Sequence, residues 1–341
     1  MSWCGIWVAV MLLAACDHLA KPTSSGRPYE VLVVVGDSLW QRPAGRALFD
    51  VLDTDIPGLP QPERSFRISQ TDPKRFNQVL NIFRNIIKVD IAPNQYTQTK
   101  MKFTRDVYAR PQVLLTIQSP NEKDFAAFVK KNARAIIDFL VKMEMNRQIN
   151  ELEKKPSEVV FFLADSIFGC QFWAPAEIKS YKKGKDFFWT SSNTASGLVN
   201  ICMYSYPYEG PWTFNKAYVL AKRDSVMKVN IPGVEPRMYM ATDTVCTSVK
   251  PITVKGGYAM EARGLWKMEH DAMGGPFVSH SMLNNRVVVA EGFVYAPEKM
   301  KRGLIRRLEA ALYTLCLPGE QARELKANIP EVSVVAGKEQ E

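Results

Sequence analysis

Ser38 is the side chain of this sequence best placed to act as a nucleophile. It follows Gly36 and Asp37 after residues 31–35, a β-branched apolar run that predicts a buried strand. A serine hydroxyl is a weak nucleophile on its own, so catalysis would also need a neighbouring base and donors for an oxyanion. The first activity to consider is therefore hydrolysis with Ser38 as the nucleophile.

The partners that such a serine needs are missing from the sequence. Residues 36–39, Gly-Asp-Ser-Leu, resemble the nucleophile motif of the GDSL hydrolases, which implies an Asp-x-x-His motif for the base. Three places before the two histidines of the second half, however, stand Lys267 and Phe277, and no asparagine precedes an aspartate anywhere. We therefore expect a turn in which Asp37 or Ser38 caps the following helix.

Metal-binding motifs are also missing. Glu269, His270 and Asp271 form the densest set of potential ligands, but adjacent residues do not easily converge on one ion. The spaced pattern H-E-x-x-H is absent. We expect a solvated loop at these residues and neither a metal nor a cofactor.

The second half offers candidates for a binding site. Glu261 and Arg263 alternate along a predicted strand and share one face, where they would form a surface ion pair or line a groove. Nearby tyrosines and tryptophans combine apolar area with a polar tip, which suits stacking on sugar rings or docking a protein. The candidate binding residues are Tyr206, Tyr208, Trp212, Glu261, Arg263 and Trp266.

The N-terminus predicts a membrane anchor. Residues 13–16, Leu-Ala-Ala-Cys, end an apolar run and resemble a bacterial lipobox. The resemblance implies a signal peptide at residues 1–15, cleavage before Cys16, a diacylglycerol thioether on its sulfur and a further acyl chain such as palmitate. Two or more acyl chains suffice for stable anchoring. A plain secretory signal is the alternative, although the leader contains no lysine or arginine.

Composition narrows the choice of partners. The chain has 341 residues, is 46% hydrophobic and carries a formal net charge of +9. Outside the cytoplasm this charge does not point to nucleic acid, so anionic lipid headgroups, acidic glycans or an acidic protein surface are the available partners. A solubilising surface is the alternative explanation.

Four cysteines lie beyond the lipobox, and an exported protein is permitted to pair them. They are Cys170, Cys202, Cys246 and Cys316. None forms a C-x-x-C pair, so zinc-ribbon and thioredoxin sites are not predicted. We expect Cys202 and Cys316 to be small buried residues first and disulfide partners second.

Periodicity divides the chain into two α+β domains, each with a mainly antiparallel sheet packed with helices. A tether at residues 16–28 precedes the first domain, 29–155, and a mobile tail at 318–341 follows the second, 156–317. In the first domain, strands are predicted at 31–35, 65–69, 85–91, 97–105 and 112–118, and helices at 44–52, 73–80 and 122–153. In the second, strands are predicted at 178–182, 187–190, 198–204, 249–254, 258–267, 277–283 and 286–295, and helices at 159–168, 213–228 and 299–315. Periodicity alone also allows a strand at 159–168.

Several runs of residues resemble an uncharacterised family of bacterial lipoproteins that carries a domain of unknown function, DUF4837. The runs are 59–62, 109–112, 204–208, 221–225, 264–266, 273–279 and 292–297. The resemblance spans nearly all of 29–315 and implies an envelope lipoprotein, but it brings no catalytic residues. The C-terminal half is also loosely similar in architecture to the PsbP and Mog1 sandwiches, which are mostly binding or assembly factors, and function does not follow from that likeness.

The sequence thus predicts a lipid-anchored protein of the bacterial cell envelope, whose folded part lies outside the cytoplasm and serves as a non-catalytic binding or assembly module. The alternative is a hydrolase of envelope polymers or lipids that acts through Ser38 or the cluster at residues 269–271. A purely structural spacer is the third possibility.

Overall fold

The computed structural model of this chain describes residues 21–195 and 197–320. The predicted signal peptide, the predicted lipidation site Cys16 and the tail beyond residue 320 lie outside the described residues. No helix of the described residues is both long and apolar enough to cross a membrane.

The described part of the predicted tether is held on the first domain. Thr23 forms a parallel β-bridge with Arg110, and Ser25 forms one with Phe83. The backbone N–H of Ser24 donates to the carbonyl of Arg110 at 3.1 Å. The chain therefore contacts the fold before the first predicted strand begins.

A five-stranded sheet forms the first domain. Its strands are β1 (Glu30–Val34), β2 (Arg67–Thr71), β3 (Asn85–Ile91), β4 (Lys100–Arg105) and β5 (Val113–Ser119), in the order β2-β1-β3-β5-β4. The expected mainly antiparallel sheet is wrong here, because β1 pairs in parallel with β2 and β3, and β3 pairs in parallel with β5. The pair β4–β5 is antiparallel. Parallel neighbours need crossover connections, which the strand patterns alone do not reveal.

Helices cover one face of this sheet. They are α1 (Asp37–Gln41), α2 (Pro43–Leu52), α3 (Glu122–Lys131) and α4 (Ala133–Lys154). The single helix expected at 122–153 is broken at Asn132, whose side-chain amide donates to the carbonyl of Phe128 at 2.8 Å. The helix expected at 73–80 is reduced to one short 3-10 turn, Pro73–Arg75.

A seven-stranded sheet, antiparallel throughout, forms the second domain. Its strands are β6 (Ser180–Gly184), β7 (Phe187–Thr194), β8 (Gly197–Pro207), β9 (Tyr239–Val254), β10 (Gly257–Glu269), β11 (Gly274–Asn284) and β12 (Arg286–Tyr295), in the order β6-β7-β8-β12-β11-β10-β9. The α+β class with two sheets is thus confirmed. The prediction missed the first half of β9, in which apolar and polar residues come in runs and do not alternate. This half pairs with the end of β10 beyond a bulge between Arg263 and Leu265.

The second sheet has helices on both faces. They are α5 (Glu158–Phe168), α6 (Lys216–Asn230) and α7 (Arg302–Leu312). Side chains alternate between the two faces along each strand. One set, which includes Val278 and Ala290, packs with α7 and α5, and the other, which includes Phe277 and Val289, packs with α6. We call these the α7 face and the α6 face.

Helix α4 contributes to both domain cores. Ile136 and Leu140, in its first half, pack in the core of the five-stranded sheet. Ile149 and Leu152, in its second half, pack with Leu308 of α7 against the seven-stranded sheet. The two cores therefore share one continuous helix.

Glu63 makes a second connection between the domains. Its two carboxylate oxygens accept hydrogen bonds from the backbone N–H groups of Lys301 and Arg302, at 2.7 and 2.8 Å. A carboxylate at a helix N-terminus satisfies free donors and complements the helix dipole. The first domain thus caps α7 of the second.

Candidate functional site

The six predicted binding residues do not meet at one place. Tyr206 and Trp266 are buried on the α6 face, with 4% and 3% exposure, whereas Glu261 and Arg263 lie on the α7 face. Tyr208 and Trp212 belong to the connection between β8 and α6 and are exposed. They therefore form three separate groups.

Glu261 and Arg263 do share a face, as predicted, but that face is buried. The Arg263 guanidinium lies 3.4 Å from Glu261 and 2.6 Å from Glu309 of α7. The expected surface pair is thus wrong, because α7 covers this part of the sheet. Arg306 completes the group, at 3.2 Å from Glu309. We call Glu261, His280, Arg263, Arg306 and Glu309 the interdomain charge cluster, since Arg306 also lies over the ring of Tyr29 in the first domain.

The protonation states in this cluster follow from burial and pairing. Burial raises the pKa of Glu309, but attraction to Arg263 and Arg306 outweighs burial and lowers it to about 2. His280 is fully buried, and desolvation lowers its pKa to about 4 even though Glu261 lies 3.9 Å from its Nε2. Burial also raises the pKa of Tyr29. At neutral pH Glu309 is therefore ionised, Arg263 is charged and His280 is neutral.

Several buried polar atoms of this region have no hydrogen-bond partner within the described residues. They are both ring nitrogens of His280, Oε1 of Glu261, Nε of Arg306 and the hydroxyl of Tyr29. Lys250 Nζ lies 3.3 Å from Glu261 Oε1 at the edge of the cluster. Because every side chain of the cluster is nearly inaccessible, its charges join the two domains and do not form an open reactive site.

A second buried ion pair lies on the α6 face and was missed by the sequence reasoning. The guanidinium of Arg223, in α6, donates to Glu291 of β12 at 2.7, 2.9 and 3.1 Å. Arg223 also donates to the hydroxyl of Thr242 at 2.7 Å and stacks over Phe277. One signal was available, because Glu291 interrupts an otherwise apolar strand.

The exposed aromatic residues form a surface at one end of the α6 face. Tyr208 packs against Phe214 with ring centroids 6.0 Å apart, and Phe214 packs edge-on against Tyr258 at 5.7 Å. Tyr258 and Trp212 are 58% and 56% exposed. Tyr258, at the start of β10, was not among the predicted residues.

The sheet register brings a fifth residue to this surface. The pairing of Ala259 with Met282 places Tyr258 opposite Leu283, and both point to the α6 face by alternation. Leu283 is also exposed. We call Tyr208, Trp212, Phe214, Tyr258 and Leu283 the aromatic surface.

Trp212 is held as a fixed platform. Gly210 has a φ of 133° and lies directly under the indole, so that a Cβ at this position would come within 2.4 Å of the ring. Backbone therefore supports one side of the indole while more than half of the residue stays exposed. Next to it, the hydroxyl of Tyr218 donates to Glu209 at 3.1 Å, which adds a polar rim.

Ser38 has no base among its described contacts. Its hydroxyl accepts a hydrogen bond from Arg42 Nη2 at 3.4 Å, in the exposed helix α1. The expected cap is wrong, because α1 begins after Gly36 without a side-chain cap. Asp37 instead forms an ion pair with Arg75 at 2.8 Å. The backbone turn predicted after β1 is present, but the catalytic set is not assembled in the described residues.

The remaining candidates are the cluster at residues 269–271 and the four cysteines. The described residues contain no group of three or more His, Cys, Asp or Glu side chains arranged to hold a metal. His270 lies in a turn with a positive φ of 64°. Cys202 and Cys316 are buried as expected, and both are free thiols, as are the buried Cys170 and the exposed Cys246.

Comparison with known proteins confirms the predicted resemblance to DUF4837 for the second half of the chain, whereas a different model matches the first half. Residues 163–314 match the family model described as Domain of unknown function (DUF4837), and residues 24–153 match one described as Domain of unknown function (DUF8532). Each of the two models covers less than half of the chain, and both describe domains of unknown function. No curated protein matches it.

One solved structure shows a partial likeness. It is a crystal structure from Bacteroides thetaiotaomicron VPI-5482, with 13% identity and a TM-score of 0.20. The likeness covers 44% of this chain and 46% of that one. This chain therefore spans about half the length of that structure, and so low a score supports no statement about fold or role.

Proposed function

We propose that this chain is a lipid-anchored protein of the bacterial cell envelope whose folded part binds the sugar rings of an envelope glycan on the aromatic surface. The observation that carries the proposal is the exposed Trp212, backed by Gly210. A supported indole offers a flat apolar area with little conformational freedom to lose on binding.

Two further observations support binding over catalysis. Tyr258 packs against Phe214, two residues along the chain from Trp212, and the exposed Leu283 pairs beside Tyr258 on the same face. Glu209 and Tyr218 supply hydrogen-bonding groups next to Gly210. Contiguous exposed apolar area with a polar rim is typical of binding sites. In addition, Ser38 has arginine and no base in contact with its hydroxyl in the described part of the chain.

Replacing Trp212 with alanine should weaken glycan binding about ten- to thirtyfold, because a central tryptophan typically contributes about 1.4 to 2 kcal/mol to an interface. Titration of the chain with soluble oligomers of N-acetylglucosamine, followed by calorimetry, measures this change. The matched control is Tyr181→Ala, which removes another exposed aromatic side chain, on β6 and away from this surface. Equal affinities for the Trp212 variant and the unaltered chain would exclude the aromatic surface as the binding site.

The proposed anchor has its own test. Growth with an alkyne-tagged fatty acid should label the chain, and Cys16→Ser should abolish the label, because only the cysteine sulfur of a lipobox receives the diacylglycerol. Cys4→Ser is the matched control and should keep the label, because that residue lies in the predicted leader. An unlabelled chain with an intact Met1 by mass spectrometry would rule out the anchor.

A further inference from the structure

One face of the five-stranded sheet is only partly covered. Helices α2 to α4 pack on the opposite face. On this face, Phe76 and Leu80 of the connection between β2 and β3 cover Leu32, Val34 and Ile86. Mainly parallel sheets are usually covered on both faces, so open area beside these residues needs an explanation.

The open part of this face carries three lysines in register. Lys88 of β3 and Lys102 of β4 lie on either side of Thr116 of β5 and both pair with it. Lys100 of β4 pairs with Gln118, two residues further along β5. Lys88, Lys100 and Lys102 are exposed, and no ion pair neutralises them within residues 21–195 and 197–320. We call these three residues the lysine face.

One acidic side chain, Asp90, lies on the same face two residues beyond Lys88, so basic side chains outnumber acidic ones here by three to one. Asp90 pairs with Gln118 across the strands and accepts a hydrogen bond from the hydroxyl of Tyr96 at 2.5 Å. Adjacent strands lie about 4.8 Å apart, so Lys88 and Lys102 stand roughly 10 Å from each other on a nearly flat surface. Such a spacing matches a plane of separate negative charges better than a single small anion.

The described chain enters the fold beside these lysines. Lys21 Nζ donates to the carbonyl of Asp106 at 2.5 Å, directly after the end of β4. Lys102 lies four residues earlier on β4, about 13 Å away along the strand. Five residue steps separate Lys21 from Cys16, a reach of at most roughly 18 Å. An anchor at Cys16 would therefore hold the lysine face close to the headgroups.

We propose that the lysine face rests on the anionic phospholipid surface of the membrane that holds the anchor. This orientation rests on the proposed function, because the anchor brings the sheet to the bilayer. Acyl chains together with a cluster of basic side chains are a common pair of membrane-binding signals. The aromatic surface lies in the other domain and remains available to bind the glycan.

The test uses residues 16–341 with Cys16→Ser, which is the proposed mature chain without its lipid. Its binding to vesicles of phosphatidylcholine alone is compared with binding to vesicles that also contain phosphatidylglycerol. We expect binding to the anionic vesicles only. The triple variant K88Q/K100Q/K102Q should bind them roughly a hundredfold more weakly, since each lysine near an anionic surface contributes about a factor of five.

The control variant K179Q/K183Q/K185Q loses the same charge from exposed positions on and beside β6. It should bind nearly as well as the unaltered chain. Three results would overturn the proposal: no binding of the unaltered chain, full binding of the first triple variant, or equal weakening of both triple variants. None of these results depends on Trp212 or on acylation of Cys16, so failure of the lysine face and failure of the proposed function are distinguishable.

Discussion

Replacing Glu291 with glutamine is expected to destabilise the folded chain by about 3 kcal/mol, because it removes the closest counterion of the buried Arg223. Arg223 is 1% exposed, and its close charged contact is Glu291 of the adjacent sheet, at 2.7 Å. Its other charged contact, Asp224, is more distant at 3.6 Å and is partly exposed, so it replaces little of the lost attraction. Glutamine keeps the size and shape of the side chain, so loss of packing contributes little. Urea unfolding followed by circular dichroism at neutral pH measures the effect.

Two controls separate the charge from its surroundings. The double variant R223M/E291L removes both charges together and should recover most of the stability, because apolar pairs of similar volume often replace buried ion pairs without loss. Glu235→Gln breaks an exposed pair with Arg237 and should leave the unfolding curve unchanged. A change of less than about 1 kcal/mol for Glu291→Gln would show that the pair is solvated or already neutral.

The second large effect concerns pH. His280 has a folded-state pKa of about 4, whereas the same residue in an unfolded chain titrates near 6.5. Between these values the unfolded state binds more protons than the folded state, so stability is complete above the unfolded pKa and is lost as the pH falls toward the folded pKa. Lowering the pH from about 7 to about 5 should therefore cost about 2 kcal/mol through this residue.

Unfolding measured at both pH values tests this expectation in the variant His280→Gln, which cannot titrate. Between pH 7 and pH 5, the variant should lose about 2 kcal/mol less stability than the unaltered chain. This difference does not depend on how stable the variant is at neutral pH. His270→Gln is the matched control, because it removes a histidine from an exposed turn outside the cluster. Glu309 does not contribute to this pH effect. Its folded-state pKa is lowered, so the stability that it provides is lost only below its ordinary pKa of 4.5. Identical pH dependence in the His280 variant and the unaltered chain would contradict this account.

Local pattern predicted the strands well where the apolar signal was strong. The expected strands at 85–91 and 286–295 coincide with β3 and β12, and the helix expected at 159–168 is α5. These segments are apolar and end at clear breaks, so their neighbours along the chain define them. The first half of β9 lacks the alternation of a strand, and its partner in β10 stabilises it as one.

Pairing between distant segments was not predictable in the same way. Parallel pairing of β1 with β3 depends on where the intervening helices return the chain, and no local pattern encodes that. The candidate site shows the same limit. Tyr208 and Trp212 could be found by composition, but Tyr258 joins them only through the register of β10 and the position of Phe214.

Which charged side chains are buried was the property hardest to predict from the sequence. Glu261 and Arg263 have the alternation of a solvated strand, and only the docking of α7 removes them from water. The sequence of α7 carries the compensating groups, Arg306 and Glu309, but their spacing also fits an ordinary exposed helix. Tertiary contact decides between these two environments.

The shared helix α4 has a practical consequence for anyone who cuts this molecule into pieces. The two family models meet between residues 153 and 163, which invites expression of each half alone. A fragment that starts there would lack Ile149 and Leu152, and would expose the core residues that they cover. Each half therefore needs residues of α4 to complete its core, so a fragment of either domain should include that helix.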